Sequence, residues 1–91
     1  MPEIHATVAS TVGLHARPAA LFAAAAAASP VPIMVRKPGG EPVDARSILS
    51  VLTLDARFGE ELILAAEGPG AEEALAALVQ VLETNHDQAE A

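Results

Sequence analysis

The residue types best suited to chemistry stand in one run, Gly13-Leu14-His15-Ala16-Arg17-Pro18. A strand pattern ends just before it and a helical pattern starts within it. The glycine permits an unusual backbone turn. His15 falls at the expected N-cap, which leaves Ala16 and Arg17 as the first helical residues. First-turn N–H groups lack an intrahelical acceptor. They face outward at the positive end of the macrodipole, a ready anion site. Pro18 suits the same turn, because it has no N–H to waste there and its fixed φ matches the helix. One imidazole, the backbone amides of Ala16 and Arg17, and the Arg17 guanidinium therefore converge. Such a set fits a nucleophilic histidine that accepts a phosphoryl group and cradles it. The dipole disfavours the protonated ring, and the neutral imidazole is the form a nucleophile needs. Phosphoryl transfer asks mainly for alignment and charge compensation, and an arginine supplies charge-assisted bonds to phosphate oxygens. The plainer reading makes His15 a polar cap and Arg17 a solvated charge. Pattern alone leaves both open.

Seven elements must hold this run in place. Ile4, Ala6 and Val8 alternate with His5 and Thr7 as in a half-buried strand. Ser10 to Gly13 breaks the pattern. A helix is expected from Ala16 to Ala28, rich in the best helix former, with Leu21 and Phe22 available for burial. Ser29-Pro30-Val31-Pro32 stops it. Ile33 to Arg36 reads as a second strand with Ile33 and Val35 on one face. Lys37-Pro38-Gly39-Gly40 is a turn, and Glu41 to Asp44 returns as the third strand of a hairpin. Ser47 to Leu54 has the spacing of a short helix with Ser47 near its N-cap. Asp55 to Gly59 is a loop, and Glu61 to Glu67 a fourth strand with Leu62, Leu64 and Ala66 facing one way. Ala71 to Glu83 is the clearest helix, with Ala71, Ala74, Leu75, Leu78, Val79 and Leu82 in a three-four stripe. Glu72 and Glu73 suit its first turn. The order βαββαβα predicts an α+β fold, an open-faced β-sandwich with helices on one face of a four-stranded antiparallel sheet. Ferredoxin-like regulatory domains, built as small-ligand modules, share that order. Residues 1–84 form the expected domain, and 85–91 a polar, flexible tail.

Composition narrows the function. Ninety-one residues leave room for one core. A net charge of −7 argues against a nucleic-acid binder and against attraction to an anionic membrane. The absence of cysteine removes a disulfide framework, a thiol nucleophile and a Cys-ligated metal. The apolar run from Ala19 to Ala28 is shorter than the roughly 20 residues that span a bilayer. No basic-plus-apolar leader is visible at the N-terminus, so a cytoplasmic protein is expected. His5 and His86 lack partners at metal spacing, so no metal and no cofactor is expected. Gly68-Pro69-Gly70 has no following Lys-Ser/Thr and is no P-loop.

The run from Gly13 through Ala20 resembles the active-site signature of HPr, the histidine-containing phosphocarrier family of the bacterial sugar phosphotransferase system. A second block, Arg46-Ser47-Ile48-Leu49-Ser50-Val51-Leu52-Thr53-Leu54, is similar to that family's serine-site signature at the matching distance. The resemblance covers about residues 1–84. It implies a carrier, not an enzyme, that relays a phosphoryl group from enzyme I to the IIA domains of sugar permeases. His15 would carry the group on Nδ1, with Arg17 stabilising it. Ser47 would be a regulatory site for a serine kinase/phosphorylase, alongside its role as N-cap. Ile48, Leu49, Val51 and Leu52 cannot all face inward on one short helix. The resemblance implies that exposed members dock enzyme I and IIA, and Leu49 and Leu52 are the candidates. A monomer with transient partners is expected. A paralogous carrier serving a nitrogen-related or dihydroxyacetone-kinase relay is the main alternative. The first helix departs from the family in carrying no charge over Ala23 to Ala28, which predicts weaker electrostatic steering. Val12 replaces a usual small polar residue.

Overall fold

The fourth strand lies inside the sheet because its side chains can be buried on both faces. In the computed structural model, which describes residues 3–9, 13–14 and 16–83 (Ala16 by its backbone), β4 spans Glu61–Ala66. Leu62, Leu64 and Ala66 point into the core, as their alternation predicts. Ile63 is buried as well, on the opposite face, where the register sets it between His5 and Arg36. Long polar side chains thus shelter an aliphatic one on the open side of the sheet.

β1 (Glu3–Thr7) and β2 (Ile33–Arg36) flank β4, and β3 (Val43–Asp44) closes the far edge. Every neighbouring pair is antiparallel, in the order β1-β4-β2-β3. Periodicity left a ferredoxin-like arrangement open. The strand order decides: β1 and β2 run parallel through α1 with β4 between them, and β1 lies at the sheet edge, as in the open-faced sandwich. The third strand is shorter than the expected Glu41 to Asp44. Pro42 cannot donate to a ladder, and pairing starts only at Val43. The edge then continues past the strand through Ala45 N–H to the Ile33 carbonyl at 3.0 Å.

Three helices cover one face: α1 (Ala16–Ala27), α2 (Ile48–Thr53) and α3 (Ala71–Glu83). α1 buries Ala19, Phe22, Ala23 and Ala26, a three-four stripe. Leu21 lies one residue off this stripe and is 41% exposed, so of the two bulky candidates only Phe22 enters the core. α3 buries Ala71, Ala74, Leu75, Leu78 and Leu82, the expected stripe save Val79, which packs at its margin. Alanine stripes let these helices approach closely, and one phenylalanine fills much of the space a richer aromatic core would share.

The end of α1 follows from chemistry named in the sequence. Ser29 Oγ donates to the Val31 carbonyl at 2.8 Å and accepts from Val31 N–H at 3.1 Å. This side-chain turn competes with the helix between two prolines. On the open face, His5 Nδ1 meets the Glu61 carboxylate across the β1–β4 pair. Among the described residues no group of three or more potential ligands gathers around a metal position. No helix among them is long and apolar enough to cross a membrane.

Candidate anion site at the start of the first helix

Gly13 adopts φ +74°, a left-handed conformation that favours glycine. A Cβ there would lie 2.7 Å from the Ala56 carbonyl oxygen and 3.1 Å from Arg57 Cα. Two independent requirements, torsion and space, therefore select glycine. The next residue fixes the approach, because Leu14 N–H donates to the Ala56 carbonyl at 2.8 Å and the Leu14 side chain is buried. The segment leading to α1 is thereby pinned to the loop between α2 and β4.

That loop is held by its own bonds. Asp55 takes φ +50° just beyond the Leu54 cap of α2, and its N–H donates to the Leu52 carbonyl at 3.1 Å. Such a left-handed residue satisfies a helix-end carbonyl. Arg57 N–H donates to Glu60 Oε1 at 2.7 Å, and Glu60 N–H returns a bond to the Arg57 carbonyl at 3.0 Å. The backbone bond from Arg57 holds the Glu60 carboxyl below its ordinary pKa, and Lys37, 3.3 Å away, adds to this. Val8 N–H to the Glu60 carbonyl and Gly59 N–H to the Val8 carbonyl, both 2.9 Å, tie the loop to the end of β1.

α1 begins at Ala16, where its sequence pattern places it. The first-turn amides of Ala16 and Arg17 thus stand at the positive end of a 12-residue helix with no carboxylate in its first turn. Pro18 is buried and the Arg17 side chain is exposed beside it. His15 lies outside the described residues, as do Val12, the break at Ser10 to Val12, His86 and the 85–91 tail. The described residues on either side of position 15 are Leu14, fixed by a bond, and Ala16, which opens the helix.

Ser47 caps α2. Its φ of −95° and ψ of 111° are extended, and its Oγ accepts from Ser50 N–H at 3.2 Å. The preceding turn is bound to Asp44, whose carboxylate accepts from Arg46 N–H at 2.9 Å and from the Arg46 guanidinium at 3.2 Å through each oxygen. The guanidinium bonds, with the backbone bond behind them, hold the Asp44 carboxyl below its usual range.

The two apolar candidates on α2 separate. Leu49 is 76% exposed, whereas Leu52 is half-buried and packs against the core. The expectation that Leu52 stands exposed with Leu49 is therefore corrected. Ile48, at 43%, is the second exposed aliphatic residue of this helix. One residue advances a helix by 100°. Ile48, Val51 and Leu52 thus share one arc and Leu49 leaves it. Ile48, the first residue of the helix, stays exposed although it shares that arc. Phe58, 61% exposed on the loop beside Arg57, had no signal in the pattern.

A cleft of about 500 Å³ lies near the opposite end of α1, against Ala25, Ala28, Pro30, Gly70 and Ala77. Its polar side chains are Ser29 and Glu73, with no cation, so it does not suit an anion.

Known proteins match most of the chain. The family model described as the PTS HPr component phosphorylation site matches residues 2–84. A Streptomyces coelicolor protein named phosphocarrier protein HPr is 46% identical over 82 residues, covering 90% of this chain and 88% of that protein. Phosphocarrier protein NPr of Escherichia coli K12 is 30% identical over 81 residues, covering 89% and 90%. The crystal structure of HPr-C-His from Thermoanaerobacter tengcongensis superposes with a TM-score of 0.83 at 40% identity, covering 91% of this chain and 92% of that one.

Proposed function

The chain belongs to the HPr family of phosphocarrier proteins, and from that premise we propose that it accepts a phosphoryl group on His15 Nδ1 from phosphorylated enzyme I and passes it to IIA domains of sugar permeases. One observation carries the reading. α1 opens at the residue directly after His15, with no carboxylate in its first turn, so a dianion there meets helix amides and the Arg17 cation instead of like charge.

The transfer is a displacement at phosphorus. The Nδ1 lone pair forms the new N–P bond as the bond from phosphorus to the donor breaks, and its electron pair stays with the donor. Delivery to IIA reverses the roles. The chain supplies little beyond placement and charge compensation, which is what this transition state asks for. It is substrate and donor in turn, needs no resident metal or cofactor, and acts in the cytoplasm as a monomer.

Leu49, with Ile48 beside it, offers an exposed apolar contact on α2 for enzyme I and IIA. With Ala23 to Ala28 free of charge, such contact rests more on apolar burial than on steering. Ser47 serves a second role as a site for a serine kinase/phosphorylase. Phosphate there meets the N-terminus of α2, so the fold tolerates it, while the docking surface gains negative charge.

Incubation with phosphoenolpyruvate, magnesium and cognate enzyme I should yield an acid-labile, base-stable adduct on one histidine. Normal labelling of His15→Ala would refute the assignment. The NPr relative favours one second reading, a nitrogen-related carrier. Transfer from the labelled chain to a sugar-type IIA, compared with a nitrogen-type IIA, decides between them.

A further inference from the structure

Arg57 is a cation whose backbone borders the segment leading into α1, and the signature of the run around His15 does not contain it. Its Cα stands against Gly13, so close that a Cβ on Gly13 would come within 3.1 Å of it. The bond from Leu14 N–H to the Ala56 carbonyl holds residue 56 against the same turn. Gly13 stands three residues before the opening of α1, so an arginine side chain rooted at residue 57 starts beside the segment that leads into the helix. The backbone of Arg57 is fixed from both sides by its reciprocal bonds with Glu60. Its guanidinium is not fixed in that way. It touches Asp55 at 3.3 Å, and the two side chains are 77% and 71% exposed. An ion pair so exposed is weak and yields readily to a stronger anion.

The remaining described cations outside α1 are held differently. Arg46 makes three bonds to Asp44, Lys37 bridges Glu60 and the Asp55 carbonyl, and Arg36 faces Glu3 on the open side of the sheet. Arg57 alone among these four sits at the Gly13 turn with a weak pairing. We infer that Arg57 is a phosphoryl-binding residue, whose guanidinium leaves Asp55 to bond the phosphoryl oxygens once the group is on His15. The inference rests on the carrier reading above and adds to it a residue that the α1 signature does not supply. A planar fork suits two phosphate oxygens at once, and the extra charge offsets part of the repulsion expected from a chain with net charge −7.

The test labels the full chain with phosphoenolpyruvate and enzyme I and titrates the phosphohistidine by ³¹P NMR. Arg57→Gln keeps the backbone bonds to Glu60, which do not involve the guanidinium. It should raise the phosphoryl group's last pKa by roughly 0.7 unit, the Coulomb effect of one charge about 4 Å away in water. It should also lower kcat/KM for transfer about fivefold, an exposed charge-assisted bond being worth less than a buried one. Arg57→Lys should restore most of the pKa shift. A labelled Arg57→Gln chain with an unmoved phosphorus titration overturns the assignment, even if transfer slows, because the arginine then touches the partner protein. Failure of the unsubstituted chain to label at all would instead overturn the carrier reading.

Discussion

Gly13 and Ala56 meet backbone to backbone, the carbonyl oxygen of Ala56 lying 2.7 Å from where a Gly13 side chain would start. The contact joins the segment before α1 to the loop after α2, two stretches more than 40 residues apart in the chain. Gly13→Ala should therefore cost more than its torsion alone. A left-handed alanine costs about 1–2 kcal/mol, and the backbone carbonyl must also move. Gly39, at φ +79° with nothing within 4 Å, isolates the torsional part. Urea melts of the two alanine variants should show Gly13→Ala the less stable, and only Gly13→Ala should slow phosphoryl acceptance. Equal losses in both would mean that the close approach carries no energy.

Much of this arrangement was legible in the residues. Gly13 announces a special turn, Pro18 a first helical turn, and the stripes of α1 and α3 announce which faces are buried. The contact of Gly13 with residue 56 was not legible, because local patterns say nothing about which distant loop a turn will meet. Leu52 shows a second limit. In a helix of six residues, each apolar position is decided by where the helix sits on the core as much as by its angle. Ile48 shares the buried arc and is still exposed, and on the loop after α2 the small Ala56 enters the core while Phe58 stays on the surface.

Leu49 and Leu52 should accordingly respond in opposite ways to the same replacement. Leu49→Ser removes an exposed side chain and should change stability by no more than about 0.5 kcal/mol, while raising KM for enzyme I. Leu52→Ser removes a packed one and should destabilise by about 1–3 kcal/mol. Denaturant midpoints and transfer kinetics on both variants separate docking from packing. A Leu49→Ser chain with unchanged KM would remove this helix face from the interface.

Ser47 combines a cap with a proposed regulatory site, and substitutions divide the two. Ser47→Ala deletes the acceptor of the Ser50 N–H bond and should cost about 1 kcal/mol. Ser47→Asp keeps an acceptor at the cap and places negative charge at the helix N-terminus, so stability should be nearly retained. Its phosphorylation by enzyme I should nonetheless slow. An aspartate variant that accepts phosphate at the unmodified rate would detach Ser47 from regulation.

Glu60 links the loop to acid stability. Its carboxyl is held below the ordinary value of 4.5, chiefly by Arg57 N–H and further by Lys37. In the unfolded chain those bonds are gone, so unfolding takes up a proton in the acid range. The stabilisation is complete above the ordinary glutamate value and fades as pH falls through the lowered, folded one. Glu60→Gln preserves an oxygen acceptor but no longer titrates. Its stability should be lower than the unsubstituted chain's at pH 7, and the difference should shrink as the pH drops below 4.5. Urea unfolding at neutral and acid pH measures both differences. A gap that stays constant or widens on acidification would show that the carboxylate charge contributes nothing to holding the 55–60 loop.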